Sequence, residues 1–230
     1  MAMNNFSPEY IPHIDRSYQR NGLRDWWDLV MTDHGFLRGW FWTNFAKIDD
    51  KMWRGNQPGP RRIRWLAEKG VRTIINLRGP RDDGTWQLEA EACHRLGLTL
   101  VDFRLRSRDV PQVGDVQKFS GLLQEITFPA FMHCKSGADR AGLGAALYLL
   151  TQKSSKPEEA AAQLSLRFGH FRQAKTGLLD AFVADYAKFA RQGVSFETWL
   201  AEHYDPDALK KKFLAQRWAN HIVDHVLRRE

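Results

Sequence analysis

A cysteine and an arginine with the spacing of a phosphate-binding loop lie in the segment MHCKSGADRAG. Cys134 follows His133, and five residues separate it from Arg140. A thiol becomes a strong nucleophile once it ionises, and a helix N-terminus or a nearby cation stabilises the thiolate. Gly137 gives the backbone freedom of a tight loop, whose inward N–H groups bind anions. Arginine can add two parallel hydrogen bonds to phosphate oxygens. These residues therefore predict a thiolate facing a phosphate cradle, as covalent phosphoryl transfer requires.

The rest of the loop supplies the expected phosphate contacts. The predicted phosphate-binding residues are Lys135, Ser136, Gly137, Ala138, Asp139 and Arg140. His133 is expected to support the loop as a hydrogen-bonded core residue. The other cysteine, Cys93, lies in the apolar pattern of EAEACHRLG and is expected to be a buried, inert thiol. Two cysteines at unlike positions do not indicate a disulfide framework.

Strands and helices alternate around this loop. The predicted strands are VRTIINL, LTLVDFRL and PAFMHC, and the predicted helices are RRIRWLAEKG, residues 86–96, VQKFSGLLQEI and AGLGAALYLLTQK. This alternation predicts an α/β fold with a central, mostly parallel sheet flanked by helices. Cys134 would lie at the carboxyl end of its strand, where the working groups of such sheets collect.

Helical extensions are expected at both ends of the core. We divide the chain into a Trp-rich extension packed on the core (1–47), a catalytic domain (48–192) and a basic helical extension (193–230). Within the second of these, PEEAAAQLSLRFGHF and TGLLDAFVADYAKFARQ predict two more helices, with Pro157 suited to a first helical turn. The Trp-rich segment and the basic tail each have a second interpretation as membrane-surface elements. Packing against the core is the interpretation we favour.

Composition bounds the function classes. A chain of 230 residues with 43% apolar residues can bury a sizeable core, and its net charge of +7 favours anionic partners. The arginines are spread along the chain and no nucleic-acid motif is visible, so nucleic acid is not an expected partner. No apolar run reaches the length of a membrane span, and the first residues do not form a secretory signal. A cytoplasmic protein is therefore expected.

The pattern His133-Cys134-(five residues)-Arg140 resembles the signature of the cysteine-dependent protein tyrosine and dual-specificity phosphatases. MWRGNQP and TIINLR resemble the opening of the compact atypical dual-specificity phosphatases of bacteria and fungi. The resemblance implies a phosphatase that forms a cysteinyl-phosphate on Cys134, stabilises it with Arg140 and the loop amides, and hydrolyses it. It implies no metal ion and no cofactor.

The family also uses an aspartate from a separate loop to protonate the leaving oxygen. This chain has no Trp-Pro-Asp stretch, but RSRDVPQVGD lies where that loop should be, and Asp109 within it is the favoured acid. Asp115 better fits the N-cap of the following helix. Asp139, inside the cradle, is the alternative acid, as in some phosphoinositide phosphatases. It could equally cap the helix or orient the arginine.

The substrate stays open at this point. Phosphotyrosine or another phosphoprotein is favoured. The charges of Lys135 and Asp139 also fit phosphoinositides, inositol phosphates or other small polyanionic phosphate monoesters. A non-catalytic phosphate-binding module is a further alternative. Basic residues in GHFRQAKTG could add anion contacts or simply face solvent; they are His170, Arg172 and Lys175. Where the family has Ser or Thr after the arginine, this chain has Ala141, which predicts slow hydrolysis of the phosphocysteine.

Overall fold

The computed structural model describes residues 44–227, and the surroundings of side chains as far as residue 218. The sheet consists of β1 (Ala46–Lys47), β2 (Met52–Asn56), β3 (Thr73–Asn76), β4 (Thr99–Asp102) and β5 (Ala130–Cys134). The strand order is β1-β2-β5-β3-β4; β1 is antiparallel to β2 and the other neighbours are parallel. The predicted α/β fold with a mostly parallel sheet is thus confirmed. Residues 1–43, which hold the tryptophans of the expected N-terminal extension, lie outside the described part.

Eight α-helices flank the sheet within residues 44–227. They are α1 (Pro60–Glu68), α2 (Gly84–Leu96), α3 (Val113–Glu125), α4 (Asp139–Gln152), α5 (Pro157–Ala162), α6 (Gly177–Ala190), α7 (Phe196–Glu202) and α8 (Pro206–Leu227). Local signals set several ends: Pro60 lies in the first turn of α1, and the Asp83 side chain caps α2 by accepting from the Trp86 N–H. Gly97 ends α2 in the left-handed conformation, with φ 66°.

Two apolar layers hold the sheet. On one face, α1 and α2 pack on the sheet around Ile63, Ile74 and Phe131. On the other face, α3, α4, α6 and α7 form the larger cluster, which includes Leu147 and Trp199. Helix α4 is buried along almost its whole length, so the loop that precedes it is anchored between a central strand and a core helix.

Two details differ from the sequence-based expectations. PEEAAAQLSLRFGHF does not form one helix: α5 ends at Ala162, and a short 3-10 turn covers Leu166–Phe168 before Gly169 reverses the chain at φ 69°. Asp115 is not an N-cap, because α3 already begins at Val113 and places Asp115 in its first turn. There the carboxylate still interacts favourably with the helix dipole.

Residues 196–209 pack on the core. Trp199 is fully buried and lies against Phe182 and Tyr186 of α6. The Tyr204 hydroxyl donates to the Pro111 carbonyl, at 2.7 Å, and so ties this segment to the loop before α3. Within residues 44–227, none of the helices combines the length and the hydropathy that a membrane crossing needs.

Candidate active site

Cys134 and Asp139 bound a tight loop between β5 and α4. Gly137 occupies its turn with φ 74°, and a Cβ there would lie 2.7 Å from the Asn56 backbone nitrogen, so only glycine fits. The Gly137 N–H donates to the Cys134 Sγ at 3.2 Å. The loop therefore curls around the sulfur, with a backbone donor directed at it.

A buried arginine lies behind this loop. Arg54, on β2, is fully buried and donates to the Gly137 carbonyl at 2.7 Å and to the Ala138 carbonyl at 3.2 Å. By holding these carbonyls away from the cradle, Arg54 leaves the N–H groups free to face an anion. Burial lowers the pKa of Arg54 to about 10, opposed by the charge of Cys134, so the guanidinium remains charged at neutral pH.

Arg54 also extends the support to the segment after α5. It donates to the backbone and side-chain oxygens of Gln163, at 2.7 and 3.0 Å, and stacks over the Phe168 ring at 4.0 Å. Asn44 adds a second tie, because its side-chain amide donates to the Ser136 carbonyl at 2.7 Å and to the Phe168 carbonyl at 2.8 Å. Neither residue was among the sequence-predicted site residues. The one signal that could have identified Arg54 is its charge, which is unusual inside a buried strand.

His133 lies in the core. It is fully buried, and its Nε2 lies 2.7 Å from Oε1 of the equally buried Glu89 on α2. The Gln57 side chain donates to the other Glu89 oxygen at 2.6 Å and accepts from Arg78 Nη1 at 2.7 Å. This chain of contacts joins β5 to α2 at the residue that precedes Cys134. Glu89 lies in a helix that the sequence predicted only as a helix, so its role was missed.

Two adjoining cavities open in front of the cradle. The first, of about 420 Å³, is lined by Ser107, Arg108, Lys135, Ser136, Asp139, Arg140, Ala174, Lys175 and Thr176. The second, of about 470 Å³, is lined by Arg78, Arg81, Arg104, Leu105, Arg106, Ser107, Arg108, Asp109 and Arg140. Ser107, Arg108 and Arg140 belong to both. Such a concentration of cations favours an anionic ligand.

Asp109 lines the second cavity rather than the first. Its Oδ1 lies 2.9 Å from Lys210 Nζ on α8, and its Oδ2 lies 3.9 Å from Arg106 Nη1. The hydrogen bond from Lys210 lowers the pKa of Asp109 below its usual value, although partial burial opposes the shift. In this arrangement Asp109 is held as a carboxylate, so it must gain a proton before it can act as an acid.

Asp139 lines the first cavity and contacts a buried histidine instead of capping α4. Its Oδ1 lies 2.7 Å from His170 Nδ1, and His170 Nε2 lies 2.6 Å from Asp180 Oδ2. Burial alone would lower the pKa of His170, but the hydrogen bonds to Asp139 and Asp180 outweigh it and raise the pKa to about 9. The ring is thus charged at neutral pH and donates to both carboxylates. His170 joins the cradle to α6, whereas Lys175 lines the cavity.

The remaining sequence-based expectations concern three small residues. Ala141 is fully buried and offers no hydroxyl, while Ser136 lines the first cavity. Cys93 is buried and free, and burial raises its pKa well above the ordinary value, as an inert thiol requires. Among the described residues, no group of three or more His, Cys, Asp or Glu side chains is arranged to hold a metal ion.

Comparison with known proteins adds family information. The family model of a DSP-PTPase phosphatase fused to NAD+ kinase matches residues 43–179. NAD kinase 2, chloroplastic, of Arabidopsis thaliana is 29% identical over 92 residues, which is 39% of this chain and 9% of that protein. The chain therefore matches only a small part of this relative's length.

Solved structures show the same fold. P. aeruginosa TpbA superposes with a TM-score of 0.51 at 21% identity, over 65% of this chain and 91% of TpbA. TpbA has also been crystallised in complex with pTyr, and that structure superposes with a TM-score of 0.50. A putative phosphatase (DUF442) from Shewanella putrefaciens gives 0.52 at 18% identity, over 66% of this chain and 95% of that one.

Proposed function

The chain belongs to the family of DSP-PTPase phosphatases fused to NAD+ kinase, and we propose that it hydrolyses phosphate monoesters through a cysteinyl-phosphate formed on Cys134. The observation that carries this proposal is the 3.2 Å contact from the Gly137 N–H to the Cys134 Sγ, inside a loop backed by the Arg54 guanidinium. The sulfur of Cys134 thus lies beside a backbone N–H at the point where the cradle would hold phosphorus.

In the first step, the Cys134 thiolate attacks phosphorus in line with the bond to the leaving oxygen. The S–P bond forms as the P–O bond breaks, and the leaving oxygen takes a proton from an aspartic acid. Arg140 and the loop N–H groups of residues 135–138 bind the three remaining oxygens, whose charge they stabilise in the transition state.

In the second step, water attacks the phosphocysteine. The S–P bond breaks, the same aspartate takes the proton from water, and inorganic phosphate leaves. Because Ala141 cannot donate a hydrogen bond to the departing sulfur, the Gly137 N–H is the donor that the described residues offer to it. We therefore propose that this second step limits turnover.

The proton donor is proposed to be Asp109, with Asp139 as the alternative. Asp109 lies on a loop that lines the cavity beside Arg140, and its carboxylate would have to leave Lys210 to reach a leaving group in front of the cradle. Asp139 already lines the first cavity, but His170 holds one of its oxygens.

Two substrate classes have support. Phosphotyrosine, as part of a phosphoprotein, is proposed from the fold shared with TpbA, a protein crystallised with pTyr. A small polyanionic phosphate monoester is proposed from the cations that line both cavities. The alternative is a phosphate-binding module without turnover, which an assay of hydrolysis distinguishes from a phosphatase.

The test is hydrolysis of p-nitrophenyl phosphate by the wild-type protein, Cys134→Ser and Cys93→Ser. We expect Cys134→Ser to lose at least about 10³-fold in kcat, because serine is a far weaker nucleophile at neutral pH. Cys93→Ser removes the other thiol and should retain activity. In rapid mixing, the wild-type protein should release about one equivalent of nitrophenol before slow turnover. Full activity in Cys134→Ser would overturn the mechanism, and phosphate binding by an inactive wild-type protein would establish the binding module.

A further inference from the structure

The second cavity beside the cradle is lined by a buried arginine, Arg78, whose side chain is held in place. Arg78 is 5% exposed, and its Nη1 donates to Gln57 Oε1 at 2.7 Å while its Nη2 lies 3.9 Å from Asp83 Oδ2. Its backbone N–H donates to Asn76 Oδ1 at 3.0 Å. A buried charged side chain held at several points keeps a defined position, unlike a solvated surface arginine.

The strand ends that carry the neighbouring arginines are also held in place. Arg78 and Arg104 pair through an isolated backbone bridge beyond β3 and β4. Asn76 donates to Asp102 at 2.7 Å, and the Trp86 indole N–H donates to the same carboxylate at 3.1 Å. A Cβ at Gly79 would lie 2.9 Å from Arg104, so the two loops are in direct contact. The residues that form the cavity are therefore held in fixed positions at the carboxyl edge of the sheet.

Charge in this cavity is strongly unbalanced. The residues that line it include six arginines and one carboxylate, Asp109. Arg81 is paired with Asp83, and Arg106 lies 3.9 Å from Asp109. Within the described part of the chain, Arg104 and Arg108 form no ion pair with a carboxylate. A concave surface with uncompensated cations attracts a multiply charged anion.

The lining favours a small polyphosphate over an aromatic phosphate. Among the described residues that line the first cavity, only Ala174 is apolar, and in the second only Leu105 is. The described lining residues include no aromatic side chain for the ring of phosphotyrosine to pack against, so the ring would contact mainly the alkyl parts of arginine and lysine. Both cavities have the volume of small-molecule sites, and they share Arg108 and Arg140, so anions bound in the two would be neighbours.

We propose that the second cavity is a subsite for a second phosphate group, and that the substrate is a small molecule carrying one phosphate in the cradle and another among Arg78, Arg81 and Arg104. This inference rests on the proposed function of the cradle and adds the substrate class. The phosphate in the cradle is hydrolysed, while the second one provides binding energy and specificity.

The first measurement uses probes that consist of phosphate groups alone. Inorganic phosphate and tripolyphosphate compete with p-nitrophenyl phosphate in the full chain, in Arg81→Gln/Arg104→Gln and in the control Arg61→Gln/Arg64→Gln. The control removes the same charge from exposed positions of α1, away from both cavities. We expect Ki for tripolyphosphate to rise at least about tenfold in Arg81→Gln/Arg104→Gln, the loss of one charge-assisted contact, and less than about twofold in the control. Ki for phosphate and kcat/KM for p-nitrophenyl phosphate should change little in the control, and in Arg81→Gln/Arg104→Gln they should change less than Ki for tripolyphosphate does.

The second measurement identifies the substrate class. Adenosine 2′,5′-bisphosphate, adenosine 2′-monophosphate and a phosphotyrosine peptide flanked by glutamates are compared as competitors and as substrates. A bisphosphate preference that Arg81→Gln/Arg104→Gln abolishes supports the proposal. Equal Ki rises in both double variants, or an arginine-dependent preference for the acidic peptide, would overturn it.

The subsite can be tested even if the cradle has no phosphatase activity. If the wild-type protein does not hydrolyse p-nitrophenyl phosphate, calorimetric binding of tripolyphosphate to the wild-type and variant proteins still measures the subsite. Weaker binding in Arg81→Gln/Arg104→Gln alone then supports it, and equal binding in all three rejects it.

Discussion

Single residues around the cradle are held by charges that come from distant parts of the chain. Arg54 reaches the loop carbonyls from β2, and His170 reaches Asp139 from the segment before α6. Both side chains are buried. A buried charge that keeps hydrogen-bonded partners fixes the geometry around it, and removing a partner leaves the remaining charge without compensation.

The position of His170 between two carboxylates therefore leads us to predict that the free energy of unfolding depends on pH. Its pKa is raised from the ordinary 6.5 to about 9 in the folded protein by Asp139 and Asp180. The stabilisation is fully present below about pH 6.5 and is lost as the pH rises through about 9. His170→Gln removes it, so the loss in free energy of unfolding should be larger at pH 6 than at pH 10, by up to about 3 kcal/mol.

Urea unfolding of the wild-type protein, His170→Gln and the exposed control His94→Gln measures this difference. The control should change the free energy of unfolding by less than about 0.5 kcal/mol. If the effect of His170→Gln were the same at pH 6 and pH 10, His170 would not be held as a cation between the two aspartates.

The sequence predicted those site residues that lie close together along the chain. Cys134, Gly137 and Arg140 lie within seven consecutive residues, so their types and spacing indicate the chemistry directly. Arg54 contacts this loop, and Glu89 contacts His133 beside it, from elements far away in sequence. A charged residue within a strand is the one local signal for Arg54, and Glu89 has none. Such contacts depend on the strand order, which places β2 beside β5.

At the scale of elements, α8 is joined to the loop that carries the favoured acid. Lys210 contacts Asp109, and Tyr204, just before α8, donates to the Pro111 carbonyl. Lys210 and Tyr204 thus hold the loop of residues 106–111 at two points, the Asp109 carboxylate and the Pro111 carbonyl. The position and the protonation of Asp109 therefore depend on an element outside the phosphate loop.

Replacing Lys210 should shift the pH dependence of catalysis. The hydrogen bond from Lys210 lowers the pKa of Asp109, so Lys210→Gln should raise that pKa. A general acid works only while protonated, and the limb along which kcat/KM falls with rising pH should move to higher pH. Profiles for Lys210→Gln and for the exposed neighbour Lys211→Gln measure the shift.

Asp109→Asn and Asp139→Asn complete this comparison. If Asp109 is the acid, Asp109→Asn loses the limb and the shift appears only in Lys210→Gln. If Asp139→Asn loses the limb and Lys210→Gln leaves it in place, the acid is Asp139. Retention of the limb in both asparagine variants would reject both assignments.

The elements themselves were predicted to different extents. Strand β5 and helix α4 carry strong apolar patterns, and both form where predicted. The segment PEEAAAQLSLRFGHF has helical composition but breaks after Ala162, where the backbone oxygen of Gln163 accepts from Arg54 instead of continuing a helix. A tertiary contact overrides the local preference there, and a local pattern does not reveal it.

At the scale of the whole molecule, the segment after residue 193 belongs to the larger of the two apolar layers. Trp199, Phe196 and Tyr204 lie in one cluster with Phe182 and Tyr186 of α6. The same helix α6 carries Asp180, which holds His170 against the cradle. The C-terminal segment and the phosphate loop thus share one continuous core, through which loss of packing at one end reaches the other.

Trp199 and Trp218 provide a matched test of that shared core. Trp199 is fully buried, whereas the Trp218 side chain is 72% exposed. Trp199→Ala should lower the free energy of unfolding by about 3–5 kcal/mol, because it removes a large apolar side chain and leaves a cavity. Trp218→Ala should change it by less than about 0.5 kcal/mol. Circular dichroism in urea measures both, since it does not rely on tryptophan fluorescence. A two-state transition in which Trp199→Ala costs no more than Trp218→Ala would show that the C-terminal segment packs on the core without stabilising it.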